Sequence, residues 1–353
     1  MRSHRVRDIA DQAGLSEATV DRVLNERPGV RDSTVAQVRR AIAELDRQRD
    51  QVHLGGRTFR LDLVMQAPAR FSSAVRAALE AELPGLRPAV IRSRFHLREE
   101  GSPSELVRIL DEIARRGSSG VLLKAPDDPT VNDAVNRIHD LRIPVVTVVT
   151  DLPLSRRIGY VGIDNRAAGA TAAYLISRMS DDSSTAAVLV TLSSSSFRGE
   201  EEREIGFRST MRMLAPDRTI REVSETDGLD ASMLAAVGHA LDRDAAIGAV
   251  YSIGGGNTAI LEAFRRAGRR PAPFIAHDLD GDNSTLLRQQ RITAVLHHDL
   301  RADMRRACQL ILQAHQALPG WPQSNPSQVQ VITPYNQPSA LLAPAESSGS
   351  PGV

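Results

Sequence analysis

Apolar and polar positions follow two different rhythms along this chain, and the change falls near residue 60. Before it the spacing is helical. Ile9, Ala10 and Ala13 recur on one helix face, Gly14 and Leu15 interrupt them, and Ser16 stands where it can cap a second helix burying Val20, Val23 and Leu24. A third amphipathic run, Val35, Val38, Ile42 and Leu45, is placed to cover the first two. Two short helices joined by a glycine turn, with a third across them, predict a small all-α helix-turn-helix domain.

From Arg60 onward, short β-branched runs alternate with amphipathic segments. LDLVM, AVIRSRF, GVLLKA and PVVTVV read as strands, and residues 72–83, 104–116 and 130–141 between them as helices. The rhythm then starts again. TAAVLVTL, a helix from about Glu200, IREVS, a helix from Asp230, AIGAVYSI, a helix from Asn257 and PFIAHD form a second unit. The expected fold is therefore α/β, two doubly wound parallel-sheet lobes, with a cleft at the carboxyl ends of their strands. ITAVLHHD, a helix over 300–317 and QVQVITPY are too few for a third domain and are expected to cross between the lobes.

The composition is that of an ordinary folded protein, 353 residues with 41% hydrophobic and 25% charged. A net charge of +1 confines any nucleic-acid surface to a local patch, and residues 1–60 do carry twelve arginines against nine acids. Cys308 is the only cysteine, which excludes an internal disulfide and a cysteine zinc site. Lys124 is the only lysine, a usage to which the sequence attaches no function. There is no apolar signal region and no run long enough to span a membrane, so a cytoplasmic protein without a membrane partner is expected.

In a helix-turn-helix the second helix enters the major groove, N-terminal residues first. Those residues are Glu17 and Ala18, with Arg22 one turn on. Arg22 can place a bidentate fork on guanine, worth about 1–3 kcal/mol of discrimination, and Ala18 can touch a thymine methyl. Ser16, Thr19, Asn25 and Thr34 lie near helix ends, where short polar side chains grip phosphates. The alternative is a structural three-helix bundle with a solvated Arg22. Asp21 beside phosphates is repulsive, so it is expected to pair with Arg22 or Arg40, or to point away.

The order AxxAGLSxATVxRVLN, followed by Val30, Thr34 and Val38, resembles the headpiece of the LacI/GalR family of bacterial transcription regulators. The resemblance implies operator contacts at Ser16, Thr19, Arg22, Asn25 and Thr34, with half-site choice at Glu17 and Ala18. It extends over about 60–336, whose strand pattern is similar to the family's periplasmic-binding-protein-like type I core, where three crossovers form a hinge. The implied domains are a headpiece over 1–47, a linker over 48–59, a core over 60–338 and a disordered tail over 339–353. Within the core, lobe 1 takes about 60–161 and 299–327, and lobe 2 about 162–298 and 328–338. Residues 46–59, DRQRDQVHLGGRTF, lack helical periodicity. The family's minor-groove hinge helix would need Leu54 as its wedge, yet Gly55 and Gly56 each weaken a helix by about 1 kcal/mol, so a disordered linker is the alternative.

Cleft candidates stand at strand ends. Phe71 could stack on a sugar face or merely staple its helix, and Asp151 and Asp278 could accept polyol hydroxyls or cap the next element. SIGGGN puts Gly255 and Asn257 at a helix start without a dinucleotide pattern. The resemblance implies ligand contact at Asp151, Asp278 and Arg203, the last in RGEEEREIGF with Arg198 as a weaker second and pairing to Glu200 as the alternative for Arg203. It also implies contact at His297, or at His298 beside it. Neighbours on a strand face opposite ways, so the two histidines are not a chelating pair. YVGIDN, a signature of the first crossover, reads as structural: Gly162 allows close connection, and Asp164 and Asn165 cap the helix over 167–179.

Together these readings give a ligand-responsive DNA-binding regulator, a repressor, working as a homodimer or tetramer on operator DNA, with a small sugar or polyol as effector. No catalytic residue, metal or cofactor is expected. Ser193–Ser196 lacks a nucleophile-elbow pattern. The rival readings are a sugar-binding transport protein and a sugar-modifying enzyme carrying an accessory DNA-binding domain.

Overall fold

The structure is a computed structural model that describes residues 4–54, 57–86, 89–180, 186–224 and 230–338, with only the backbone for 47–54. Gly55, Gly56, the side chain of Leu54 and the tail over 339–353 lie outside the described residues. Helix α1 (Val6–Ala13) stops where Gly14 turns left-handed at φ 64°, its N–H donating to the Ala10 and Asp11 carbonyls. Ser16 then accepts from the Thr19 N–H at 3.2 Å and starts α2 (Glu17–Leu24). Ile9, Ala10, Ala13, Val20, Val38 and Ala41 form the core under α3 (Asp32–Leu54), whose Gln37 donates to the Ala13 carbonyl at 2.7 Å.

Helix α3 runs through the segment that lacks apolar periodicity. Arginine, glutamine and aspartate need no buried face to be helical, and neither glycine nor proline occurs in this helix before Gly55.

The first sheet has the order β2-β1-β3-β4-β5, all parallel: β1 (Thr58–Gln66), β2 (Val90–Arg98), β3 (Gly120–Lys124), β4 (Val145–Val148) and β5 (Gly159–Val161). Helices α4 (Ala69–Glu82), α5 (Pro103–Arg116) and α6 (Pro129–Asp140) connect its strands. The chain then crosses over into α7 (Asn165–Met179). A second sheet follows, in the order β11-β10-β9-β8-β6-β7. Its strands are β6 (Ala187–Thr191), β7 (Ile220–Val223), β8 (Ile247–Ser252), β9 (Phe274–His277), β10 (Ala294–His297) and the antiparallel β11 (Gln330–Ile332). Its connecting helices are α8 (Arg198–Leu214), α9 (Asp230–Arg243), α10 (Asn257–Arg266) and α11 (Gly281–Arg288). After β10 the chain crosses back. Helix α12 (Leu300–Ala314) buries Met304, Cys308 and Ile311 in the first lobe's core, and its Arg301 and Arg305 hold the buried Glu82 of α4 at 2.7 and 2.6 Å.

Buried apolar residues cover both faces of each sheet, which is why their strands read as continuous apolar runs. The tightest helix contact in the second lobe sets the site. Gly169 of α7 lies against the carbonyl of Arg203, and Gly206 of α8 against the carbonyl of Arg166, each closer than a Cβ would allow. Gly169→Ala should destabilise the fold by about 1–3 kcal/mol through overpacking. A urea-unfolding midpoint equal to wild type would contradict that.

Candidate ligand cleft and nucleic-acid interface

The carboxyl ends of β1, β3, β6, β8 and β9 converge on one cavity of about 320 Å³ between the lobes. Gln66 and Lys124 line it from the first lobe, with Phe71 of α4. Arg203, Gly255, Asn257, His277 and Asp278 line it from the second. Contacts cross between the lobes at its edge, among them the Lys124 ammonium 4.0 Å from the Phe197 ring centre, Arg70 3.5 Å from Asp280, and the Gly199 N–H donating to the Thr150 hydroxyl at 2.9 Å.

Arg203 is buried, and its place is fixed by the glycine contact of α7 and α8. Its Nε donates to Asn165 Oδ1 at 2.8 Å, and its Nη1 is 3.9 Å from Asp278 Oδ2. It does not pair with Glu200, which accepts instead from the Ser193 N–H at 2.7 Å and from the Ser193 hydroxyl. Asn165 in turn donates to the Tyr160 hydroxyl at 3.1 Å, and that hydroxyl donates to the Ile163 carbonyl at 3.0 Å. YVGIDN is therefore the scaffold beneath Arg203. Asp164 does cap α7, through the Ala167 N–H at 2.9 Å, whereas Asn165 is its first residue and serves the arginine instead of the cap.

Asp278 follows β9 directly and sits at φ 62°; Val149 follows β4 directly and sits at φ 68°. A left-handed non-glycine residue costs of order 1–3 kcal/mol, and a β-branched one is a clear outlier. Both line the cavity. Asn283 of α11 secures the second turn, donating to the His277 and Asp278 carbonyls at 2.9 and 2.7 Å and accepting from Asn257 at 2.7 Å.

Behind Asp278 stands a buried histidine. His298 Nε2 is 3.5 Å from Asp278 Oδ1, and its Nδ1 contacts Asp303 of α12. Burial opposes the His298 charge, but the Asp278 and Asp303 carboxylates more than offset it and push the ring up to about 9. Burial likewise opposes the Asp278 charge, and His298 with Arg203 holds its carboxyl well below the usual range. The folded-state pKa of His298 is raised above 6.5, so its contribution to stability is complete below that pH and lost as pH rises through about 9. His298→Gln should lack that decline. Unfolding midpoints across pH 6 to 9 test it, and parallel profiles for the two proteins would contradict it.

Three expected ligand residues are not at the cavity. Asp151, two residues past the strained Val149, folds back to accept from Thr147 at 2.7 Å, from the Leu152 N–H at 2.8 Å and from Arg157 Nη2 at 2.6 Å. Arg198 pairs with Glu201 and Glu202 along its own helix. His297 accepts from the Leu279 N–H at 3.2 Å, and burial, aided by the His298 charge, lowers it to about 4. Phe71, Arg203, Gly255, Asn257 and Asp278 are brought together, and Phe71 also belongs to the first lobe's core. The sequence reading missed Gln66, Lys124, His277 and Asn283. For Lys124 a signal existed in its being the sole lysine.

On the headpiece Glu17, Ala18 and Arg22 are exposed along α2. Arg22 Nη2 makes one long contact with the Pro28 carbonyl, at 3.4 Å. Ser16 bonds the Thr19 hydroxyl at 2.8 Å as well as its N–H, and Thr34 is half-buried in the first turn of α3. Among the described residues the contacts of Asp21 are with Arg27 and Asn25, not with Arg22 or Arg40. It lies 3.4 Å from Arg27 and accepts from Asn25 Nδ2 at 2.8 Å, so Asn25 is held within the helix end.

Two facing α/β lobes with a polar cleft between them define a periplasmic-binding-protein-like ligand-binding protein, here carrying a helix-turn-helix unit. The chain belongs to the periplasmic binding protein domain family, matched over residues 65–317, and its N-terminal segment to the bacterial regulatory proteins of the lacI family, matched over 5–49. No curated protein matches it in sequence. Among solved structures it is similar to a glucose-galactose binding protein from Geobacillus stearothermophilus, with a TM-score of 0.71 and 20% identity over 80% of this chain and 99% of that one. A solute binding protein of an ABC transporter from Agrobacterium vitis, bound with α-D-tagatopyranose, gives 0.68 and 16% over 78% and 95%. A sugar-binding protein of a sugar ABC transporter from Bacillus halodurans gives 0.67 and 16% over 79% and 98%. At these identities the likeness is one of fold.

Proposed function

We propose that this protein is a transcriptional repressor whose affinity for operator DNA is set by a small sugar or polyol held between its lobes. Buried polar side chains of residues that line one cavity carry the ligand class. Among the described residues, Gln66 Oε1, Asn257 Oδ1 and His277 Nδ1 have no hydrogen-bond partner, and Asp278 Oδ1 faces the His298 ring, 3.5 Å away. Each such atom left unmet costs about 1–3 kcal/mol, and ligand hydroxyls satisfy them together. Phe71 beside them offers an apolar face for a sugar ring. The glucose-galactose binding protein and the tagatopyranose-bound solute binding protein of similar fold agree with this class by analogy.

The proposed ligand contacts are Phe71, Arg203, Gly255, Asn257 and Asp278. On DNA, Arg22 reads guanine, Glu17 and Ala18 face bases, and Ser16, Thr19 and Thr34 grip phosphates, with Asn25 joining them if it leaves Asp21. A homodimer would set two such helices on a pseudo-palindromic site. The proposed role of the cavity is binding. Ser193, its best-placed hydroxyl, donates to Glu200 instead of to a histidine base.

A thermal-shift screen of the purified protein against pentoses, hexoses, cyclitols and their acids and phosphates tests the ligand class. A ligand at 100 times its Kd adds about 2.7 kcal/mol of stability. One class should give a clear shift, and none across the whole set would overturn the sugar reading.

A further inference from the structure

We infer that the ligand is a sugar acid and that Lys124 is the residue that selects its carboxylate. The inference rests on the sugar reading of the cleft and narrows it.

Lys124 ends β3 at the inner wall of the cavity and is only 8% exposed. Its Nζ donates to the Gln66 carbonyl at 2.9 Å and faces the Phe197 ring. The ion pairs among the described residues do not include it. A buried ammonium is costly unless paired, and here one backbone carbonyl and one ring are what the protein supplies. Lysine has three donors, so two remain for an incoming group.

Four of the carboxylates that share the cavity are already committed. Glu200 takes the Ser193 N–H and hydroxyl, and Glu99 takes the Ala69 N–H at 2.8 Å. Asp280 caps α11 through the Asn283 N–H at 2.8 Å, and Asp278 lies between Arg203 and His298. Burial draws the Lys124 ammonium down to about 8, with Glu200 and Asp278 resisting and Arg203 adding to the fall. It therefore still carries its charge at neutral pH.

A carboxylate matches this position better than a phosphate. One ammonium balances one negative charge, and the neighbouring Arg70 and Arg203 already face Asp280 and Asp278, so a dianion would meet the fields of Glu200 and Asp278 with less to offset it. Gln66, Asn257 and Asp278 bring further acceptor groups, suited to hydroxyls, to the lining. Together they describe a small polyhydroxy monocarboxylate, and a cavity of about 320 Å³ admits one such molecule.

Calorimetric titration of the wild-type chain with galactose, glucose, galacturonate, glucuronate, galactonate, gluconate and glucose 6-phosphate tests the inference. At least one acid should bind at least tenfold more tightly than its neutral parent and than the phosphate. Lys124→Met, which keeps length but not charge, should bring that ratio to within about threefold of one. Neutral sugars or the phosphate binding as tightly as the acids would overturn the inference and leave the sugar reading standing, as would an unchanged ratio in Lys124→Met. The wild-type comparison decides the matter even if the variant fails to fold. Binding by no member of the set would withdraw both readings.

Discussion

Asp278→Asn should lower effector affinity at least about tenfold, because a hydrogen bond to a charged group contributes about 1.5–3 kcal/mol and the Asp278 carboxylate lines the cavity with Oδ1 turned to His298. Asparagine keeps the size and tolerates the left-handed backbone at φ 62°, so the fold should survive. Operator binding without effector should be unchanged and its response to effector lost. Calorimetry on the variant, with the compound that shifts the wild-type melting temperature, measures this. Wild-type affinity would remove Asp278 from the site.

Arg22→Ala should erase about 1–3 kcal/mol of preference for the operator over a scrambled duplex while leaving effector binding intact. The side chain is exposed on α2 and among the described residues is tied by a 3.4 Å contact to the Pro28 carbonyl, so removing it costs the headpiece little. Competition anisotropy against both duplexes gives the ratio. A variant as selective as wild type would move base readout to another residue.

The alternating fold was legible because strands buried on both faces must be β-branched runs, and such runs have few other readings. Elements without an apolar face escaped it. Helix α11 begins on glycine and is largely polar, β5 has three residues inside a segment read for its motif, and α3 continues to Leu54 on arginine and glutamine. At the cleft the same physics divides success from failure. Asp278 was legible as the residue that ends its strand, but its positional counterpart in the first lobe is Val149, not Asp151, and the two-residue difference turns the Asp151 carboxylate toward Arg157. His297 and His298 differ by one strand step, so one ring serves the Leu279 N–H and the other faces Asp278. Lys124 was hidden by its surroundings: GVLLKA reads as core, and only the rest of the fold reveals that its end opens on a cavity.

The central claim is that the cleft and the headpiece are coupled. Fluorescence anisotropy on a duplex selected by the protein from a random-sequence pool, with and without saturating effector from the thermal-shift screen, measures that coupling directly. A coupling of about 1–3 kcal/mol predicts an operator Kd that changes between about fivefold and 150-fold. An operator affinity that stays the same at saturating effector would contradict it.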